Sequence, residues 1–527
     1  MSFDAVVVGA GHNALVCACY LARAGLRVVV VERRERLGGM ADTSELLPGV
    51  RVPTLAHTVG RLRPSVVREL GLAEHGLSLV QPDVRVFAPQ LDGRALTLWG
   101  DVERTAKELG GPDGAAYPAA DARFRTIAAA LAALTTRTPP DLAAPTLTDA
   151  LAGLKQGLLA RSRAGAESGG LLRMLPMAVS DLVGEWFDGD PLQAAIAARG
   201  VLLTGMGPRM PGTAQVLLTD GAGSDSGLAG QSVFARGGPG AVGEALAAAA
   251  RTLGVEVRTG AAVARVRRHD DAVAGVTLAS GEEIDAGVVV SGADPKTTLL
   301  ELVEPEAIGP RLSWRTQNIR ATGATAKVNL ALADLPTFTG LTAEEARSRL
   351  RGRLVFAPSM AALYRATSAS KYGELPDEPL LEATIPTRVD AGLLAEKRRG
   401  RARQVKHVVS IVVQSVPFDA AAGDVGDLVL ATLERYAPGI TGLVVERQVL
   451  TPANIERDYG VTGGHPMHAE IGLDQWFAWR PLHGLGRHRM PLRGLYLAGS
   501  GAHPGGGVTG APGQHAAREI LADHRRA

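Results

Sequence analysis

Apolar positions near the start of this chain form an unbroken run at 5–8, then a helical period, then a second unbroken run at 28–31. Runs without polar alternation read as strands buried on both faces, and the periodic stretch between them, about 12–24 and closed by Gly25, reads as a helix. Strand, helix and strand at this spacing make a βαβ unit. The turn between its first two parts carries Gly9, Gly11 and Ala14. Gly9 allows a tight turn, Gly11 lets the backbone approach a ligand, and Ala14 replaces a third glycine while staying small enough for helix–strand contact.

His12 and Asn13 open the helix, whose free N–H groups and dipole suit a pyrophosphate. The second run ends on Glu32, 23 residues after Gly9, where a carboxylate can accept from ribose hydroxyls and disfavours the 2′-phosphate of NADP. A nucleotide unit by itself serves NAD or FAD. Here a further glycine pair, Gly38 and Gly39, follows the acid, with Arg33 and Met40 on either side. A second loop of this kind suits the extended dinucleotide FAD, which is the expected cofactor.

The same patterning returns later in the chain. Gly237-Gly-Pro-Gly240 opens an alanine-rich helix, 241–253, followed by a short strand at 255–259 and a meander over 263–267, 273–278 and 285–291. Val263, in the first meander strand, is assigned to the cofactor. At the C-terminus a strand, 494–499, enters a glycine turn at Gly499 and Ser500, and a glycine-rich stretch, 505–513, leads into a last helix, 514–523. The pattern predicts an α/β fold: a two-dinucleotide-binding, Rossmann-like FAD domain from 1–70, 232–298 and 486–527. Two insertions, 71–231 and 299–485, would build one discontinuous α+β substrate domain. The first insertion predicts helices at 121–134 and 147–159 and links at 138–140 and 219–227; the second mixes strands (326–332, 408–413) with a helix at 425–436.

Composition narrows the function. The 527 residues are 46% apolar and 21% charged with a net charge of +2, so no electrostatic case exists for nucleic acid. The two cysteines, Cys17 and Cys19, point to different faces of one helix and form neither a CxxC redox pair nor a structural disulfide. No basic segment precedes the strand that begins by Asp4, so no signal peptide is expected, and the cytoplasm is the expected compartment. No nucleophile elbow, P-loop lysine or paired-carboxylate spacing is present.

Gly9-Ala-Gly-His-Asn-Ala14, the Gly38-Gly39 pair and above all 496–513 resemble the phytoene-desaturase-like flavoproteins, which include bacterial carotenoid desaturases and desaturase-like carotene ketolases. Segments 56–64, 463–468 and 476–481 extend the resemblance, which is dense at both ends and thin across about 100–225 and 335–450. Ala14 departs from the usual glycine. The resemblance implies that the C-terminal glycine stretch meets the isoalloxazine ring, with N–H groups of Gly507, Val508 and Thr509 toward its N1/O2 edge. His503, just before that stretch, is a catalytic candidate whose rival role is a backbone hydrogen bond at the turn. Lys327 is a second candidate by analogy with amine oxidases, its rival role being a strand-edge lysine reaching solvent. His465, His468, Trp476 and Trp479 suggest the wall of an apolar substrate pocket. The two histidines lack the further ligands a zinc site needs, so no metal is expected.

Together these readings predict an FAD-dependent oxidoreductase that takes a hydride from a hydrophobic, unsaturated substrate (polyene or lipid-like) to flavin N5. They leave room for an unidentified electron acceptor, peripheral contact with a membrane and a homodimer. A flavin amine oxidase, an isomerase using reduced FAD, and an FAD-binding interaction protein of low turnover stay open as alternatives.

Overall fold

The computed structural model describes residues 3–222 and 227–526. Its dinucleotide-binding elements are β1 (Phe3–Val8), α1 (His12–Arg23), β2 (Val28–Val31), α2 (Gly240–Thr252), β3 (Glu256–Arg258), β4 (Val263–His269), β5 (Ala272–Leu278), β6 (Glu283–Ser291), β7 (Leu495–Leu497) and α3 (Ala511–His524). Five strands run parallel in the order β3–β2–β1–β6–β7, and β4 and β5 join antiparallel along the first part of β6. Ala5, Val7, Val28 and Val30 pack under α1, α2 and α3. Val6, Val8, Val29 and Val31 pack on the opposite face with residues of the meander. Burial on both faces is why the two runs show no polar alternation.

Register decides where the ligand site lies. Val8 is level with Val31 and with Ser291, and Ser291 with Leu497, so four strands end together. Gly9, Glu32, Gly292 and Gly499 follow those ends, at the carboxyl edge of the parallel sheet where such folds bind nucleotides. The first and last helices are held face to face by a glycine: a Cβ on Gly513 would overlap the Asn13 carbonyl.

A second sheet runs in the order Val444–Leu450, Thr325–Leu332, His407–Gln414, Leu381–Thr384, Arg353–Phe356, Val84–Pro89, Ala95–Trp99. It therefore joins strands from both insertions. Helices Gly111–Leu134, Asp190–Val201 and Thr213–Gly221 bury a separate core beside it. Among the described residues no helix is long and apolar enough to cross a membrane.

Three local expectations are corrected. The last helix begins at Ala511 rather than 514, because Pro512 sits in its first turn, where a missing N–H costs nothing. The 121–134 segment is the second half of Gly111–Leu134. Of the link expected at 219–227, Thr219 to Gly221 belong to a helix, and 223–226 lie outside the described residues.

Candidate active site

The strand ends open into a cavity of about 480 Å³ that also reaches the second sheet and the helix Thr213–Gly221. At its nucleotide end Glu32 is buried, and its two oxygens accept from the N–H groups of Ala10 (2.7 Å) and Arg34 (2.8 Å). Arg33, Arg34, Val263 and Tyr459 also line this end. The Arg34 guanidinium lies 4.2 Å from the Tyr459 ring centre and pairs with Asp42.

The two distant turns of the chain meet in the middle. His12 Nε2 is 3.2 Å from the Gly507 carbonyl, and Asn13 Nδ2 donates to Ser500 Oγ at 3.1 Å. Gly9, Gly11, Ala14, Gly39, Met40, Gly499, Ser500, Gly507 and Val508 line the cavity with them. Two assigned residues lie just behind the wall. Gly38 packs against Gly243 and hydrogen-bonds Ala10, so its work is to hold the second loop against α2. Thr509 shapes the start of α3, its carbonyl accepting from Arg63 and its hydroxyl from Ala511.

These residues fit FAD. A Cβ on Gly11 would meet no protein atom within 4 Å, so protein packing does not explain the missing side chain; a closely approaching ligand does. The N–H groups of Gly505, Gly506, Gly507 and Val508 donate to no acceptor among the described residues, and Asn13 Oδ1 is buried without a partner. Buried polar groups left open around one cavity mark where a polar ligand completes them. Glu32→Ala is expected to weaken FAD by about 1–3 kcal/mol, as for a lost charged hydrogen bond. Part of that loss falls on the turn, since the Ala10 and Arg34 N–H groups lose their acceptor too. Titrating FAD into apoprotein reads the effect, and an unchanged affinity would place the ribose elsewhere.

The far end holds what the sequence did not bring together. Lys327 is level with Val412 on the next strand, and Val412 with Glu382 on the one after. His57 enters from the loop after the first nucleotide unit, with Nε2 3.1 Å from Glu382 and Nδ1 3.2 Å from Lys327 Nζ. Arg353 closes the chain with a 2.6 Å bond to the other Glu382 oxygen. All four are buried and line the cavity. Burial lowers Lys327 to about 7, with Glu382 pulling the other way. Burial and the neighbouring Lys327 lower His57 to about 4. Burial would raise Glu382, but Arg353 and the His57 bond hold it at about 2. A neutral His57 then donates from Nε2 to Glu382 and accepts at Nδ1 from Lys327.

The remaining candidates separate. Lys327 is no strand-edge lysine, since its strand is flanked on both sides. His503 is off the cavity: its ring nitrogens lie 3.2 Å from the Phe477 carbonyl and 3.1 Å from that of Arg137, and it stacks on His515. It is a packing residue of the turn. His468 and Trp476 line the cavity, whereas His465 and Trp479 do not. His465 Nδ1 accepts from the Met467 N–H, and Trp479 is 41% exposed. His468 holds a left-handed backbone (φ 62°) with Nδ1 unpartnered, a strained arrangement typical of ligand sites.

Seven histidines (12, 57, 465, 468, 488, 503 and 515) are each lowered first by burial, to about 4 or about 3 except His515, which is simply well below its ordinary value. The unfolded chain binds these protons near pH 6.5 and the folded one only near 4 or below, so stability falls with falling pH between those values. The urea midpoint is expected to drop steadily from pH 6.5 toward 4; a flat profile would contradict burial of these rings.

Comparison with known proteins agrees with this geometry. Residues 7–69 match the NAD(P)-binding Rossmann-like domain family, and 216–368 match the flavin containing amine oxidoreductase family. The pyridine nucleotide-disulfide oxidoreductase domain-containing protein 2 of Rattus norvegicus is 33% identical, covering 99% of this chain and 94% of the relative. The hydroxyneurosporene desaturase of Cereibacter sphaeroides is 29% identical over 98% of this chain and 97% of its own. Among solved structures, wild-type putrescine oxidase bound to putrescine superposes with a TM-score of 0.61 at 17% identity, covering both chains fully; at that identity it speaks for the fold. Fold, cavity and matches thus define an FAD-dependent oxidoreductase of the phytoene-desaturase-like superfamily. Within that class, the chain belongs to the family of pyridine nucleotide-disulfide oxidoreductase domain-containing protein 2. Disulfide chemistry has no place in this chain: Cys17 and Cys19 are free, buried in one helix, and their thiols are pushed up by burial.

Proposed function

We propose that the protein desaturates a hydrophobic substrate that already carries a double bond, taking a hydride from one carbon and a proton from its neighbour to form a new C=C bond. The observation that carries this reading is the composition of the far end of the cavity. Leu202, Leu203, Val216, Ile471 and Trp476 form an apolar wall, and Lys327, held by the His57–Glu382–Arg353 chain, is a basic group on the same cavity. The likeness to a protein named hydroxyneurosporene desaturase supports it. FAD, when bound, supplies the two-electron acceptor.

Lys327 takes the proton. Its neutral amine does so, and burial makes that form abundant near pH 7. His57 fixes the amine in place, while the apolar wall orients the chain and excludes water. Purified yellow protein, incubated without oxygen with fractionated lipid extract, is expected to bleach with an unsaturated fraction. The bleaching rate should rise with pH through about 7. Lys327→Met should lower it by about 10²–10⁴ and flatten the profile. Bleaching by amines and by no lipid fraction would replace this reading with amine oxidation.

A further inference from the structure

Among the described residues the charges at the substrate end do not balance, and the excess is positive. Arg199 pairs with Asp220 and also donates to the Leu228 carbonyl at 2.9 Å. Arg353 pairs with Glu382, whose second oxygen takes His57. Asp220 and Glu382, the carboxylates of the described residues at this end, are thus already bonded to arginines. With Lys327 as the neutral amine, Arg61 is left as the cationic side chain here with no bonded carboxylate among the described residues; it feels the charge of Asp220, which is bonded to Arg199 instead.

The Arg61 guanidinium lies against the glycine stretch, since a Cβ on Gly507 would sit 3.1 Å from Nη1, and Nη2 reaches the Thr219 carbonyl at 3.4 Å. Nε is buried with no partner. A guanidinium keeps its proton at working pH. Buried Arg480 is completed by the backbone carbonyls of Met467, Glu470, Gln475 and Ser500, whereas half-buried Arg61 has the Thr219 carbonyl alone among the described residues and lines the cavity, where an anion is its strongest acceptor. The pyrophosphate of the cofactor has its own positive partner at the start of α1, and an oxidised flavin ring is uncharged. The loaded resting protein therefore still has one cation to satisfy beside an apolar wall.

We propose, building on the desaturase reading, that the substrate is a hydrophobic anion whose carboxylate pairs with Arg61 while its apolar body lies along Leu202, Leu203, Val216 and Ile471. The same geometry disfavours a primary amine, because among the described residues this end offers an ammonium group no carboxylate outside an arginine pair and sets the Arg61 cation beside it.

Isothermal titration of the oxidised FAD-loaded protein with octanoate, octanol and octylamine tests this. Octanoate is expected to bind at least tenfold more tightly than either of the others. Arg61→Gln should weaken octanoate at least tenfold and leave octanol within twofold. Arg61→Lys keeps the charge but loses the two-pronged fork; it is expected to weaken octanoate three- to tenfold and to keep the preference over octylamine. It is the deciding variant if the glutamine form does not retain FAD. Octylamine binding as tightly as octanoate would overturn the proposal. So would a variant that changes the flavin spectrum while octanoate affinity stays the same, since Arg61 would then serve the flavin alone. These are equilibrium readings without turnover. An anion preference with no bleaching by any unsaturated compound would end the desaturase reading and keep the site; bleaching by neutral polyenes with no anion preference would do the reverse.

Discussion

Gly11→Val is expected to give a folded but colourless protein. Gly11 has φ −63° and ψ 155°, a backbone that valine adopts readily, and a Cβ there touches no protein atom within 4 Å. The apoprotein should therefore unfold at the same denaturant concentration as the parent. The added isopropyl group instead occupies the approach to the first helix N-terminus, where the pyrophosphate must come close. We expect affinity for FAD to fall by a hundredfold or more, near the ~3 kcal/mol upper end of an overpacking clash. The ratio of flavin to protein absorbance after purification, together with the urea midpoint, measures both halves. A yellow variant would show that the dinucleotide runs elsewhere. Loss of folding would mean that the space around Gly11 is not open.

The second large effect is expected at Glu382. Removing its carboxylate by Glu382→Ala leaves the Arg353 guanidinium buried, with only the Ala229 carbonyl at 2.7 Å, and strips His57 Nε2 of its acceptor. Breaking one side of a buried pair costs about 3–5 kcal/mol, because the remaining charge has no solvent to return to. The loss should appear as a lower urea midpoint. Replacing both partners, Glu382→Leu with Arg353→Met, should recover much of it, since the desolvated charge is then gone as well. The double variant is nonetheless expected to lose the bleaching reaction, because His57 no longer holds Lys327. A Glu382→Ala protein as stable as the parent would mean that water or another group screens Arg353, and the proposed chain would not be closed.

These expectations divide according to how far each residue's partners lie along the chain. The strand–turn–helix at the start was legible because its signals are local. Four consecutive apolar positions, Gly9 and Gly11 before a helix, and an acid at the end of the next strand each fall within about thirty residues. The C-terminal glycine stretch was legible for the same reason, as three successive glycines are costly to order without a close approach. The His57–Glu382–Arg353–Lys327 chain gave no comparable signal. Its members come from one loop and three strands separated by tens to hundreds of residues. A lone glutamate and a lone arginine in apolar strands were the traces it left, and neither names its partner. His503 misled because a histidine beside a glycine loop looks alike whether its ring faces the ligand or the neighbouring backbone.

By itself, then, the sequence determined the nucleotide-binding units, their cofactor and the class of the fold, because backbone conformation and burial on two faces are properties of short stretches. Tertiary structure alone decided which charged side chains face one another across the cavity, and with that the balance of charge a substrate must meet. Strand register sets the spacing of Lys327 and Glu382, and cross-chain register follows from the packing of whole sheets rather than from any local run of residues.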